Sequence, residues 1–390
     1  MKKLIAVCVV LLFVAPAFAA DWAFYGSQRV ATWYNYRDYG DTNNVSGNDS
    51  DQGTQMYFQD NSRVGAKVKA NKVSGQIELA LNATSSNGGD RDRGSNGGDG
   101  SVVTRRAYGV WTFADNTSLK VGKDYSPVTD FISNQWYSSD NNLWGEGDFY
   151  GRRPNQIALT IGDFEIAALS PTYGADVGTT ATGINGVTGS PNPNSYIPRF
   201  EATYNLKFGA GYIKPFAGFQ YYDVKSSNNG VASNVTDTLN VWSYVAGVGT
   251  SWNIGAFSIG GQLCYGMNEG NVNGWQPGNA GRAVASAYLA PGGDDIRKVF
   301  TTQALIVPAL KFTDTLRFEA GFGYRQDNAS NAPGPTQANG QWAAYLQAMI
   351  TMAPGVFLCP EVGYYDYMDN NAGNSEGKLW YAGAKWQIDF

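Results

Sequence analysis

The last thirteen residues, KLWYAGAKWQIDF, alternate in polarity. Trp380, Ala382, Ala384, Trp386 and Ile388 form one set, and Tyr381, Gly383, Lys385, Gln387 and Asp389 the other. A period of two puts the sets on opposite faces of a β-strand. The same period recurs upstream. Leu316, Phe318, Ala320, Phe322 and Tyr324 oppose Arg317, Glu319, Gly321, Gly323 and Arg325. Phe257, Ile259, Leu263 and Tyr265 oppose Ser258, Gln262, Cys264 and Asn268. Ile77, Leu79 and Leu81 oppose Gln76, Glu78 and Asn82, and Phe200, Ala202, Tyr204, Leu206 and Phe208 oppose Arg199, Glu201, Thr203, Asn205 and Lys207.

The connections alternate too. Short joins fall at 70–74, 115–117, 162–163, 208–211, 253–255, 313–315 and 353–355. Between them lie stretches rich in Asn, Asp, Gly and Ser at 38–53, 83–101, 124–151, 171–196, 223–238, 269–297, 326–340 and 368–377. Seven short turns and eight long loops join sixteen strands, and an even number returns both ends to the side of the short turns. A soluble sandwich has nothing that forces its long loops to one side, whereas an outer-membrane barrel does. Lipid satisfies no backbone N–H or C=O, so a spanning sheet must close without an edge. The expectation is all-β: a transmembrane antiparallel β-barrel of sixteen strands, with short periplasmic turns and long external loops. The final strand then pairs with the first, over 22–36, and Trp386, Ile388 and Phe390 stand at the periplasmic aromatic girdle.

Composition and charge sharpen this reading. The chain opens MKKLIAVCVVLLFVAPAFAA: two lysines, an apolar run from Leu4 to Val14, then Ala17 and Ala19. That is the form of a secretory signal peptide over 1–19, leaving one barrel domain at 20–390. The 28 basic and 33 acidic residues give −5, and removing Lys2 and Lys3 brings this to −7, an argument against nucleic acid as a partner. Trp numbers 11, Tyr 24 and Gly 48, which suits twisted strands ending at membrane interfaces. Histidine is absent, which removes Ser–His hydrolysis, imidazole–zinc sites and His-ligated haem. The chain therefore reads as no enzyme, with no cofactor and no metal. Cys8 lies in the leader; Cys264 and Cys359 face inward four strands apart, too far for a disulfide, and are expected to be free. The acidic segment 88–101 reads as solvated loop rather than a calcium repeat.

Several segments carry a resemblance. FYGSQRVATWY (24–34), DNSRVGAKVKANKVSGQIELALN (60–82), VTRRAYGVWTFADNTSLKVGKDYS (103–126) and GRRPNQIALTIGDFEIAALSP (151–171) resemble the first seven strands of the general trimeric Gram-negative porins. The terminal strand ending in Trp386, Ile388 and Phe390 is similar to the signal read by the barrel-assembly machinery. The resemblance implies a homotrimer in the outer membrane, among lipid and lipopolysaccharide, and a third loop, 124–151, folded into the lumen. It further implies a constriction in which Asp140, Glu146 and Asp148 of that loop face a wall of arginines, Arg29, Arg63, Arg105 and Arg153. Arg29 stands two residues beyond the family position, which holds Ser27, and Arg106 and Arg152 exchange places with their neighbours if the strand carries a bulge. The implied activity is passive diffusion of ions and small hydrophilic solutes, with a cation preference set by the acidic loop.

Two other readings stay open at this stage. Trp136, Tyr137, Trp144, Phe149 and Tyr150 in the loop either wedge it against the wall or form the track of a channel specific for a sugar or small anion. A structural barrel with a plugged lumen is the third.

Overall fold

The computed structural model describes residues 20–41, 50–82, 101–173, 192–225, 238–272, 287–289, 295–330, 338–369 and 373–390. The leader call at 1–19, and part of each long loop other than 124–151, lie outside the described residues.

Sixteen antiparallel strands close into a barrel. The first is Asp21–Asp38, and the second runs in two pieces, Ser50–Phe58 and Arg63–Ala70. The third to seventh are Val73–Asn82, Ser101–Ala114, Thr117–Lys123, Asn155–Ile161 and Phe164–Leu169. The eighth is Arg199–Tyr204 continued by Leu206–Phe208, and the ninth to eleventh are Gly211–Lys225, Thr238–Ile254 and Phe257–Met267. The twelfth to sixteenth are Val299–Lys311, Leu316–Ala329, Ala338–Ala353, Val356–Asp366 and Lys378–Asp389. A two-stranded ribbon, Tyr288–Leu289 with Ile296–Arg297, lies apart from the barrel sheet.

Closure is by the two ends of the chain. The first strand pairs with the second on one edge and with the sixteenth on the other, from Ser27 opposite Asp389 to Asp38 opposite Lys378. Phe390 extends this ladder: its carbonyl accepts from the Gly26 N–H at 2.7 Å, and its N–H donates to the Gly26 carbonyl at 3.1 Å. The Phe390 ring lies across Gly26, where a Cβ would collide with it. Short turns take left-handed residues where two strands reverse, at Asn71, Asn116, Gly162, Gly255 and Gly355.

The faces sort as the alternation requires. Trp380, Trp386, Ile388, Phe318, Phe322, Leu263, Tyr265, Ile77 and Phe200 are exposed on the outer surface. Tyr381, Lys385, Gln387, Glu319, Arg325, Gln262, Cys264, Glu78, Arg199 and Glu201 are buried on the inner one. An outward arginine would meet hydrocarbon; inside, Arg199 pairs with Glu201 at 3.1 Å. One irregularity matters for the lumen. Glu78 pairs with Arg106 and Leu79 with Thr104, so Arg105 is the extra residue of a bulge in the fourth strand. The bulge brings both arginines inside: Arg105 Nε bonds Glu78 at 2.9 Å, and Arg106 Nε bonds Asp124 at 2.7 Å.

Cys264 and Cys359 are both buried and free. Alkylation of the unfolded, unreduced chain should therefore label both thiols, read by mass; no labelling would reveal a disulfide. Ile306, exposed mid-strand on the outer face, should cost roughly 2–4 kcal/mol as arginine in a lipid-reconstituted unfolding titration. An unchanged midpoint would put that face in water.

Candidate functional site

Residues 124–151 enter the barrel and run around its inner wall. The run makes little regular structure, so its backbone must find partners elsewhere. Ser126 bonds Glu201 of the eighth strand. The Thr129 carbonyl accepts from Lys214 Nζ of the ninth at 2.8 Å. The Asn134 N–H donates to Glu319 of the thirteenth at 2.9 Å, and the Trp136 and Tyr137 N–H groups donate to Glu361 of the fifteenth at 2.6 and 3.1 Å. The Ser138 carbonyl accepts from Gln59 Nε2 at 2.6 Å. The return pass gives the Gly147 N–H to Gln303 and the Phe149 N–H to Gln262, at 3.3 and 2.6 Å.

Asp140 holds the far end of the loop. It lies between Arg29 of the first strand, Lys385 of the sixteenth at 3.1 Å, and Asn61 at 2.5 Å. Burial alone would push its carboxyl up, but the charges of Lys385 and Arg29 hold it below the ordinary carboxylate value. Lys385 also sits over the Trp136 ring, 3.2 Å from its centroid.

The three predicted acids therefore do not form a row facing arginines across water. Asp140 is spent on Arg29 and Lys385. Glu146 is buried against the thirteenth strand, its carbonyl packed on Gly323 where no Cβ fits. Asp148 is buried beside Gln262, and that burial, with Asp130 near, pushes its carboxyl well above its ordinary value and weakens its charge. A further carboxylate, Glu269 in the turn Glu269–Val272, accepts from Gln303 at 2.8 Å and pairs with Arg325 at 3.0 Å; burial pushes it up to about 7.

The aromatics divide likewise. Tyr137 stacks on Tyr381 at 3.8 Å, Phe149 packs on Phe216, and Trp136 lies under Lys385, so these three wedge the loop. Trp144 and Tyr150 stack on each other at 3.8 Å and border open space.

That space is a cleft of about 440 Å³ between the loop and the second to fifth strands. Among the described residues, Arg105, Lys123, Arg152 and Arg153 line it against one carboxylate, Asp60; Ser139, Asn141, Trp144 and Tyr150 form the loop side. A second cleft, about 510 Å³, reaches the short-turn rim at Phe390. It holds Arg29, Arg63, Lys67 and Arg106 with Glu78 and Asp389. Arg63 lies 3.9 Å from Glu78. Of the four predicted wall arginines, Arg63, Arg105 and Arg153 border the clefts, and Arg29 borders one while pinning Asp140. Sequence reasoning did not select Lys123, Asp60, Glu319 or Glu361, although their strand parity or loop position was visible.

Asp140→Ala should leave Arg29 and Lys385 facing each other unpaired and cost about 3–5 kcal/mol, measured by denaturant unfolding. Adding Lys385→Met should recover part of the loss. Because the Asp140 pKa is depressed, its contribution is present above the ordinary carboxylate range and is lost as pH falls through the lowered value.

No family model matches the chain, and no curated protein sequence matches it. Solved structures do. The outer membrane channel DcaP of Acinetobacter baumannii superposes with a TM-score of 0.67 at 16% identity, covering 95% of this chain and 97% of that one. Salmonella typhi OmpF gives 0.55 at 13%, covering 94% and 97%. An anion-selective porin from Comamonas acidovorans gives 0.54 at 11%, covering 95% and 100%. Over nearly its whole length, and with a loop lining its lumen, the chain has the sixteen-stranded barrel fold of the outer-membrane porins.

Proposed function

We propose that the chain forms a water-filled channel across the bacterial outer membrane and passes small hydrophilic solutes, anions ahead of cations. One observation carries this reading: among the described residues, Lys123, Arg152, Arg153 and the Glu78-paired Arg105 line the cleft with Asp60 as its one carboxylate, while Asp140, Glu319 and Glu361 are buried in contacts that hold the loop. Arginine keeps its charge at any working pH. Between low-dielectric walls that charge acts strongly at short range, though salt screens it over about 8–10 Å. An anion entering the cleft exchanges some of its water for guanidinium donors, and a cation is repelled. This reverses the cation preference that an acidic loop would impose. The Comamonas acidovorans fold neighbour, an anion-selective porin, supports the reading by analogy of fold.

The remaining expectations fit the same proposal. The leader 1–19 directs export, 20–390 is one porin domain, and the barrel assembles as a homotrimer; a Vibrio cholerae fold neighbour, OmpT, has a trimer form. Trp386, Ile388 and Phe390 sit on the outer face at the closing seam, where the assembly machinery can read them. Lipid and lipopolysaccharide cover the apolar belt. The role is transport, with no catalysis and no cofactor.

A second reading is a channel specific for one class of small anion. It is favoured by Trp144 and Tyr150, which line the cleft opposite the arginines. Flux that saturates with solute concentration in liposomes would select it over a general pore.

The test is the reversal potential of the purified protein in a planar bilayer under a potassium chloride gradient. Chloride should permeate ahead of potassium, and Lys123→Gln with Arg153→Gln should lower that ratio by about threefold or more, given the strength of short-range charge at a partly dry site. A wild-type protein that selects potassium, or that passes no current, would overturn the proposal.

A further inference from the structure

Tyr125 is the second residue of the loop, and cations from two sides converge on it. Its hydroxyl accepts from Arg105 Nη2 at 3.2 Å and from Arg153 Nη1 at 3.4 Å. Its ring lies 5.1 Å from the Arg106 guanidinium carbon and 5.2 Å from that of Arg153. Phe131 packs edge-on against the ring at 4.8 Å, and Gln156 Nε2 bonds the Tyr125 carbonyl at 2.9 Å, so the phenol is held from behind and at its backbone. Arg106 borders the cleft at the short-turn rim, and Arg105 and Arg153 border the one beneath the loop. The tyrosine thus contacts arginines of both clefts.

The chemistry of this hub is particular. Three guanidinium groups near one another repel, and something must hold them. A carboxylate would do so at the cost of their charge, as Glu78 does for Arg105 and Asp124 for Arg106. A phenol offers a lone pair and a negative ring face without net charge. Arg153 shows the outcome: among the described residues its contacts are the Tyr125 hydroxyl and the rings of Tyr125 and Tyr150, with no carboxylate. Its side chain is oriented while its charge stays available to the lumen.

We propose that Tyr125 is the positioning residue that sets the ion preference of the pore, by orienting Arg153 without neutralising it. The inference rests on the anion-channel reading above and adds to it a residue that bears no charge. Three variants separate ring, hydroxyl and charge. Tyr125→Phe keeps the ring and loses two hydrogen bonds, Tyr125→Leu loses both kinds of contact, and Tyr125→Glu supplies the carboxylate that the protein lacks at this point.

The measurement is the chloride-to-potassium permeability ratio from reversal potentials, taken on protein shown to be folded by its heat-dependent gel mobility. The ratio should fall in the order wild type, Phe, Leu, Glu, with the Leu variant down about threefold, the scale of one or two net hydrogen bonds. Arg153→Gln should have less effect in the Leu background than in wild type, because both changes remove the same oriented charge. A merely structural tyrosine would alter yield or stability and leave the ratio in place. Wild-type selectivity for chloride with an unchanged ratio in folded Tyr125→Leu and Tyr125→Glu overturns this inference and leaves the channel reading standing. A wild-type protein that does not favour chloride overturns both.

Discussion

Every backbone N–H and C=O must find a partner, and in this molecule two different solvents refuse to supply one. The apolar outer face offers nothing, so sixteen strands pair edge to edge until Phe390 meets Gly26. The inner wall poses the same demand again. A loop laid against it, outside any ladder, brings free amides into a partly dry space. The wall answers with acceptors: Glu319, Glu361, Gln262 and Gln303 each take an N–H of residues 134–149.

This demand also sorts the charges of the lumen. A carboxylate or amide oxygen accepts a backbone N–H, and a guanidinium cannot. Acids on the wall are therefore drawn beneath the loop. The loop's own acids are consumed as well, Asp140 by Arg29 and Lys385, and Asp148 by burial. Arg105, Arg152 and Arg153 border the cleft beneath the loop. A chain whose overall charge is −5 in this way presents a cleft lined by Arg105, Lys123, Arg152 and Arg153. Tyr125 belongs to the same logic, since it supplies contacts for arginines without adding a negative charge.

The alternation in 316–325, 257–268 and 378–390 already separated lipid from lumen, and Phe322, Leu263 and Trp386 stand outside while Arg325, Gln262 and Gln387 stand inside. The short and long joins gave the strand number and the direction of the chain ends. The site was legible in part. The residues of the arginine wall were visible, because mid-strand arginines have nowhere else to go. The roles of Asp140, Glu146 and Asp148 were not, because a loop has no periodicity from which to read a direction. Arg105 and Arg106 were ambiguous for a related reason: one extra residue in a strand reverses every parity beyond it, and no local pattern marked the bulge.

By itself, then, the sequence determined the strand count, the face that side chains of the regular strands take and the seam at which the barrel closes, since all three follow from a period of two and from turn spacing. Only the tertiary structure decided which charges remain in water. That outcome depends on which wall residue stands opposite each loop amide, and such a meeting joins residues as distant in the chain as Trp136 and Glu361. Hydrogen-bond demand between partners so far apart leaves no trace in local pattern, and it is this demand that buries the wall acids beneath the loop.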